Sequence, residues 1–380
     1  MSFGDSNRVT VDFIQETSFG VTPVSGTWDR LRLTSEGLMH EKQTVVSEEL
    51  RADRMRADVL EVGASAGGDI SGELSFDTYS KLFEALLQGT FTEISTVGTV
   101  TFVSDEATMA SSIVASLDLG QWFRIGDAGA NTGIYRVASK PNGGTIKVDA
   151  TFASAFAAST AVVRAKGVKN GTTSRTFTFQ RHYEDLDKFF RVTGGKLNTG
   201  AIEVASGAIV TLNFGIMGKE GTYASTTAAS AVNAAPNTEV LTATANVGNI
   251  YEGVYGSELA TALQSISLNI NNNQRQQNAV GSRTPRGIGE GSIEVTGNIN
   301  AYFENILLAQ KFVSHTSSAL SFRFTDNAGN VLIFTLPKIY YSEGNAPATG
   351  INTDVMLPLA FIGARDPTTE TVIRIDALAA

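Results

Sequence analysis

Apolar and polar residues alternate along much of the chain, the period-2 pattern of strands with one face buried and one face wet. Val210, Leu212, Phe214 and Ile216 share one face between 207 and 217, and Ile266, Leu268 and Ile270 do the same further on. Phe177 with Phe179, and Phe322 with Phe324, repeat the pattern. β-branched and aromatic side chains at these positions favour half-buried antiparallel strands. Two stretches switch to helical spacing. Between 77 and 88, Tyr79, Leu82, Phe83 and Leu86 fall on one helical face, with Asp77 as N-cap and Gly89 as stop. Between 300 and 312, Phe303, Ile306 and Leu307 are spaced likewise, with Asn300 as cap. The patterns predict an all-β fold with minor α, one helix lying across each of two sheets.

The surroundings of the two helices repeat. Ile70-Ser71-Gly72-Glu73-Leu74-Ser75 precedes the first, and Val295-Thr296-Gly297-Asn298-Ile299-Asn300 the second, at an offset of 225 (295 against 70). Beyond them, Phe177, Phe179, Phe189, Val210, Leu212 and Gly218 match Phe322, Phe324, Phe334, Val355, Leu357 and Gly363 at an offset of 145 (322 against 177). A constant offset with one element order predicts two copies of one unit. The offsets differ by 80 (225 less 145), so the first copy carries that much extra chain. The stretch 91–169 fits, with strand patterns at Val100–Val103, Gln121–Ile125, Gly133–Ala138, Thr145–Val148 and Ala161–Arg164 and a turn at Pro141-Asn142-Gly143-Gly144. Short strands so spaced predict a small β-barrel or sandwich.

The expected organisation is therefore a first unit over 1–90 and 170–220, an inserted β-domain over 91–169, a linker over 221–262, and a second unit over 263–380 ending in a C-terminal arm. The linker is rich in Ala, Thr, Ser and Asn, and its Tyr251 and Tyr255 suggest that its end docks. About the first 30 and last 15 residues have no counterpart in the repeat and are expected to be arms ordered by a neighbour.

Composition narrows the function. Among 380 residues only 18% are charged, against 42% hydrophobic, and the net charge is −9. No basic cluster grips phosphates. The chain has no cysteine, so it holds neither disulfide nor thiolate metal site. Met1–Thr10 is polar and no run of 18 apolar residues occurs, so neither signal peptide nor membrane insertion is expected, and the chain is expected to stay soluble in a cytoplasm.

Candidate chemistry is sparse. His40, His182 and His315 stand at no metal-ligand spacing, and no G-x-S-x-G elbow occurs. His182-Tyr183-Glu184-Asp185 reads as a solvated loop after a strand. Gly67, Gly68 and Gly72 lack the Lys and Ser/Thr of a phosphate loop. Gly287, Gly289 and Gly291 precede a strand and open no helix, and both clusters read as turns. No enzyme and no cofactor is expected. The most charged stretch holds Glu48, Glu49, Arg51, Asp53, Arg54, Arg56 and Asp58; the matching stretch of the second copy holds Arg275, Arg283 and Arg286. One reading is solvated loops. The other is protruding loops whose mixed charges meet complementary charges on the next subunit or ring.

Ser265-Ile266-Ser267-Leu268-Asn269-Ile270, Val295-Thr296-Gly297-Asn298-Ile299, Tyr302-Phe303, Phe322-Arg323-Phe324-Thr325-Asp326 and Phe334-Thr335-Leu336-Pro337 together resemble the major tail tube protein of siphophages. Glu16-Thr17-Ser18-Phe19-Gly20 and Leu31-Arg32-Leu33-Thr34-Ser35-Glu36-Gly37-Leu38 are similar to a branch of the same family. The resemblance implies two tandem tail-tube β-sandwich domains, each flanked by a helix, in stacked rings around a lumen that passes DNA without specific binding. It implies tape measure, tail terminator and distal tail proteins as partners, the virion tail as location, and terminal arms and a long loop linking rings. The family's usual ring has six single-domain subunits, so two copies per chain predict a homotrimeric, pseudo-hexameric ring, with a hexamer of whole chains as the alternative. The inserted domain is expected to project outward and to be dispensable for assembly. A second functional class is a surface or baseplate β-protein that binds glycan through the inserted domain; Trp122 and Tyr135 could serve a sugar there, but core packing is the favoured reading of both.

Overall fold

The computed structural model describes residues 3–253, 261–348 and 350–380. The chain opens with β1 (Val9–Gln15), β2 (Thr27–Arg30), β3 (Ser35–Glu36), β4 (Met39–Val46), β5 (Val59–Glu73) and helix α1 (Ser80–Leu86). An inserted unit follows: β6 (Thr92–Val103), β7 (Glu106–Thr108), α2 (Ser111–Ser116), β8 (Trp122–Gly126), β9 (Gly133–Asn142), β10 (Thr145–Val148) and β11 (Ala157–Lys169). The first half resumes with β12 (Phe177–Tyr183), β13 (Lys188–Ala205), β14 (Thr211–Gly218), β15 (Glu220–Ala224) and β16 (Ala231–Asn233). The second half comprises β17 (Val247–Glu252), β18 (Leu263–Asn271), β19 (Arg275–Gln277), β20 (Gly287–Gly289), β21 (Glu294–Tyr302), α3 (Leu307–Val313), β22 (Ser318–Thr325), β23 (Val331–Tyr341), β24 (Met356–Gly363) and β25 (Arg374–Leu378). The fold is all-β with minor α.

The two halves repeat one pairing scheme. In the first, β4, β5, β14 and β13 lie side by side, and β13 continues into a second layer with β12, β1 and β15. In the second, β18, β21, β24 and β23 do the same, with β22, β17 and β25 in the second layer. The alternating residues drive this layering. Leu212, Phe214 and Ile216, with Ile266, Leu268 and Ile270, point into one shared core. Face-to-face burial of such side chains supplies roughly 1.5–3 kcal/mol each.

The pairing also moves the sequence register of the repeat. Ile216 lies opposite Gly68, and Phe361, its counterpart at offset 145, lies opposite Gly297. Gly68 therefore corresponds to Gly297, and the 225 offset through Gly72 is four residues out. Phe179 lies opposite Val192, while Phe324 lies opposite Leu332, so Phe177 and Phe179 do not occupy the places of Phe322 and Phe324. Strand order matches, but hairpin lengths do not.

Both helices are shorter than the spacing predicted. Asp77 is not a cap, because it takes φ 58°, and the helix begins at Ser80. At the other end Gln88 takes the left-handed turn at φ 50°, and the Gly89 N–H bonds back to the Glu84 carbonyl at 3.0 Å. Asn300 belongs to β21, and Phe303, Ile306 and Leu307 are exposed rather than packed on a sheet. Leu308 is the buried residue of α3.

Neither end is a loose arm. β1 pairs with β12 along its whole length, and β25 is buried between β23 and β11. The stretch read as a linker runs along the first half as β15 and β16, bridges Ser75 to Val240, and enters the second half as β17. Tyr251 stacks on Trp122 at 5.8 Å, and Tyr255 lies outside the described residues. The inserted unit has its own core of Val100, Phe102, Phe123, Ile125, Val137 and Ile146, with Gly143 and Gly144 turning β9 into β10. It is not a free projection, because β11 pairs with β25 of the second half.

Two glycine clusters read as turns are strand residues instead. Gly67, Gly68 and Gly72 lie in β5, while Gly287 and Gly289 lie in β20. Gly68 is required twice over: its φ is 140°, and a Cβ would overlap the Gly37 carbonyl. Gly68→Ala should lower stability by roughly 2–4 kcal/mol, whereas Gly98→Ala, with open space around its Cβ position, should stay within about 0.5 kcal/mol. Urea melts of both variants check the contrast.

Candidate assembly interface

One continuous sheet joins the halves. The C-terminal part of β13 pairs with β18, from Thr199 opposite Asn271 to Ala205 opposite Ser265. The order is then β4, β5, β14, β13, β18, β21, β24, β23, four strands from each half. Helix α1 seals this seam. Leu86 packs on Gly200, where a side chain would collide with it, and the Leu86 carbonyl accepts a 2.8 Å bond from the buried Asn272 side chain. Phe83 reaches Phe334 of the second half at 5.9 Å between ring centres. Glu290 gathers Lys196 (2.5 Å), Gln88 (2.5 Å) and Ser174 (2.8 Å) from the first half. Burial pushes its carboxyl up, but the bonds from Lys196 and Ser174 outweigh burial and hold it below the usual carboxylate range.

The sheet's other face is wet and short of cations. Glu73, Thr211, Glu203, Ser267, Asn298 and Ala360 form one cross-strand row, and Asp69, Gly215, Thr199, Asn271 and Glu294 the next. Neither row holds Lys or Arg.

One edge of the sheet is open. Beside β4 the chain caps the edge with side chains: the Leu38 N–H donates to the Glu36 carboxylate at 3.0 Å, the Leu38 carbonyl accepts from Arg181 at 2.6 Å, and Arg181 pairs with Glu36. Side-chain capping is one way an edge strand avoids unspecific pairing. Nothing in the sequence placed Arg181 beside Glu36, because the two are 145 residues apart.

The charged loop 47–58 joins β4 to β5 and is exposed, with Leu50 and Met55 protruding beside its charges. Within it Arg51 pairs with Asp53 at 2.7 Å, while Glu48, Glu49, Arg54, Arg56 and Asp58 face solvent. The second-half residues are placed elsewhere. Arg283 pairs with Glu61 (3.2 Å) and Glu220, and its carbonyl takes the Ala64 N–H, so it props the base of the first-half arm. Arg275 donates to the Glu290 carbonyl at 2.9 Å, and the Arg286 side chain is exposed near β20.

The histidines are structural in setting. His40 accepts the Gly221 N–H, His182 stacks on Phe189 within β12 rather than in a loop, and His315 stacks on Tyr340. Trp122 and Tyr135 offer no sugar platform: Trp122 is buried and bonds Thr335 at 3.1 Å, and Tyr135 packs on Phe152.

A family model described as phage tail tube protein matches residues 6–363. The chain belongs to this family. Membership makes it a structural protein of the virion tail that self-assembles into a tube, and not an enzyme. Comparison with curated proteins gives no match. No described helix is long and apolar enough to cross a membrane.

The inserted unit grips the C-terminal strand of this tail tube protein through buried charge. Asp376 is fully buried, accepts from Arg374 at 2.8 Å and from the Trp122 N–H at 3.3 Å, and Arg374 reaches Asp118 of the insert at 3.1 Å. Burial outweighs the Arg374 charge and pushes the Asp376 carboxyl up to about 6. A carboxyl raised on folding binds its proton more tightly in the native state. Its contribution is present at low pH and is lost as pH rises through about 6, by up to about 3 kcal/mol. Asp376→Asn should flatten the stability profile between pH 4 and 6, read by urea melts across that range; an unchanged slope would assign it to other groups.

Proposed function

We propose that this chain builds a non-contractile, siphophage-type tail tube from stacked rings of three copies, each half of the chain being one tube unit of a duplicated pair. The units are built on 1–90 with 170–220 and on 263–380; the stretch 221–262 that joins them adds β15 and β16 to the first and β17 to the second, and the domain at 91–169 interrupts the first. The seam between β13 and β18 carries this reading: it joins two four-strand halves into one sheet and leaves further edges unpaired. Repeating the seam from chain to chain closes the sheet, and closure removes edges outright. Six units at two per chain give three chains. The wet face then lines the lumen, and its Ser, Thr, Asn and carboxylates leave DNA phosphates without a counter-charge. Assembly takes place in the host cytoplasm, with tape measure, terminator and distal tail proteins as partners. The arms at 47–58 supply contacts between rings.

Two outcomes test it. Native mass measurement of a single ring should give three chains of 40.2 kDa; six chains would replace the trimer with the hexamer. Arg51, Arg54 and Arg56 replaced together by Glu should shorten tubes seen by electron microscopy while the unassembled chain melts normally. Tubes of full length would remove these residues from ring stacking.

A further inference from the structure

The seam inside the chain has an unfilled counterpart at its end. β13 carries a bulge between Leu197, opposite Ile216, and Thr199, opposite Gly215. In the second half Tyr341 lies opposite Phe361, and then Ser342 and Glu343 both point their N–H at the Ala360 carbonyl. The shared bulge equates Thr199 with Glu343 and Gly200 with Gly344. The helices agree, for Gly200 lies beneath Leu86 of α1, and Gly344 lies beneath Phe312 of α3, with 2.9 Å from its Cβ position to Phe312 Cβ. On the opposite edge, Leu268 pairs with Gly297, and β4 continued by one residue brings Leu38 to Gly68, the glycine equivalent to Gly297.

These two correspondences give a register. Inside the chain Asn272 donates its N–H to the Asn198 carbonyl and Ser206 to that of Gln264, so Ile270, Leu268 and Ile266 exchange backbone bonds with Gly200, Ile202 and Val204. Carried over, His40, Leu38 and Glu36 of one copy meet Gly344, Ala346 and Ala348 of another. Resting on the ring reading above, we propose that residues 343–348 of one copy dock as a strand along 36–41 of a second copy, and that the Glu36–Arg181 pair is a removable cap on that edge. The Ala346 backbone N–H and carbonyl replace Arg181 and Glu36 on Leu38. Pro347 fits, because its missing N–H falls at a position that bonds away from the incoming strand. The apolar face of α3 supplies a second argument. Phe312, which holds the place of Leu86, is only partly buried where Leu86 is 1% exposed, and its neighbour Val313 is 80% exposed. The incoming first half covers it, together with Ile306, as the second half helps cover α1.

The absence of native cysteine makes cross-linking decisive. Met39 and Asn345 fall at a non-hydrogen-bonded pair, where Cα atoms stand about 4.5 Å apart, within disulfide reach. Oxidised particles of the Met39→Cys/Asn345→Cys variant should give a denaturing-gel ladder ending at covalent trimers. The Leu38→Cys/Asn345→Cys variant, whose side chains point to opposite faces, should cross-link several-fold less. Three-chain rings without the 39–345 link overturn the docking and leave the ring reading standing; a ladder ending at hexamers overturns the trimer and keeps the docking. Arg181→Ala should shorten the lag before tube growth severalfold, with the melt of unassembled chain as the folding control. An unchanged lag in a folded variant overturns the cap.

Discussion

Every strand at the margin of a sheet carries backbone N–H and carbonyl groups that must find partners, and this molecule is organised around where they find them. Leaving such groups buried and unmade costs on the order of 1–3 kcal/mol each. At the seam the two halves satisfy one another, β13 against β18. At the C-terminus β11 of the inserted unit covers the outer flank of β25. Beside β4 side chains stand in for a strand, Glu36 accepting and Arg181 donating at Leu38. Three margins thus receive three solutions, and only the last can be displaced by another backbone without unfolding a layer.

The insert follows from the same constraint. A domain interrupting one unit would ordinarily hang from that unit by its two ends. Here it spans to the other, with Trp122 seated against Thr335, Asp118 on Arg374, and β11 alongside β25. The two halves are therefore held at two separate sets of contacts, the sheet seam and the insert, so that rotation of one against the other must break buried polar contacts. Removing a buried ionic partner is strongly destabilising because it strands the other charge. Rigidity between halves is what a repeating wall needs, since an error in angle at each seam would accumulate around it.

The strand faces were legible in the sequence and the registers were not, for a physical reason. Val210, Leu212, Phe214 and Ile216 announce their buried face because alternation is a property of one strand alone. Register is a property of a pair. A slip of four residues, such as Gly72 for Gly68 against Gly297, returns every side chain to the same face and preserves the apolar pattern. Only cross-strand pairing distinguishes the two. The stripe of α1 is buried as its spacing predicts, and only α3 departs from its pattern. Phe303, Ile306 and Leu307 have the spacing of a buried stripe but are exposed, because β21 runs to Tyr302, α3 begins only at Leu307, and Leu308 is the residue it turns to the core. The charged residues were found by density, yet density does not separate Arg51 in the exposed arm from Arg283, which props that arm from the other half. The terminal strands were missed because the repeat offered no match for them, although β1 and β25 each complete a layer.

Joining two units in one chain changes the energetics of a closed wall. A seam between separate subunits must overcome the lost freedom of association, of order 4–15 kcal/mol. A seam within a chain forms at the high effective concentration set by its linker. In a ring of three such chains every second seam is already made when the ring begins to close. The two classes of seam are then free to differ. The internal one can be dry on its core side, sealed there by Leu86 and the buried Asn272. In the proposed ring the external one must remain soluble in the free subunit, and the Glu36–Arg181 pair of one copy with α3 of the next would meet that need: the pair keeps the edge from pairing at random, and the helix would reward only the partner that arrives in register.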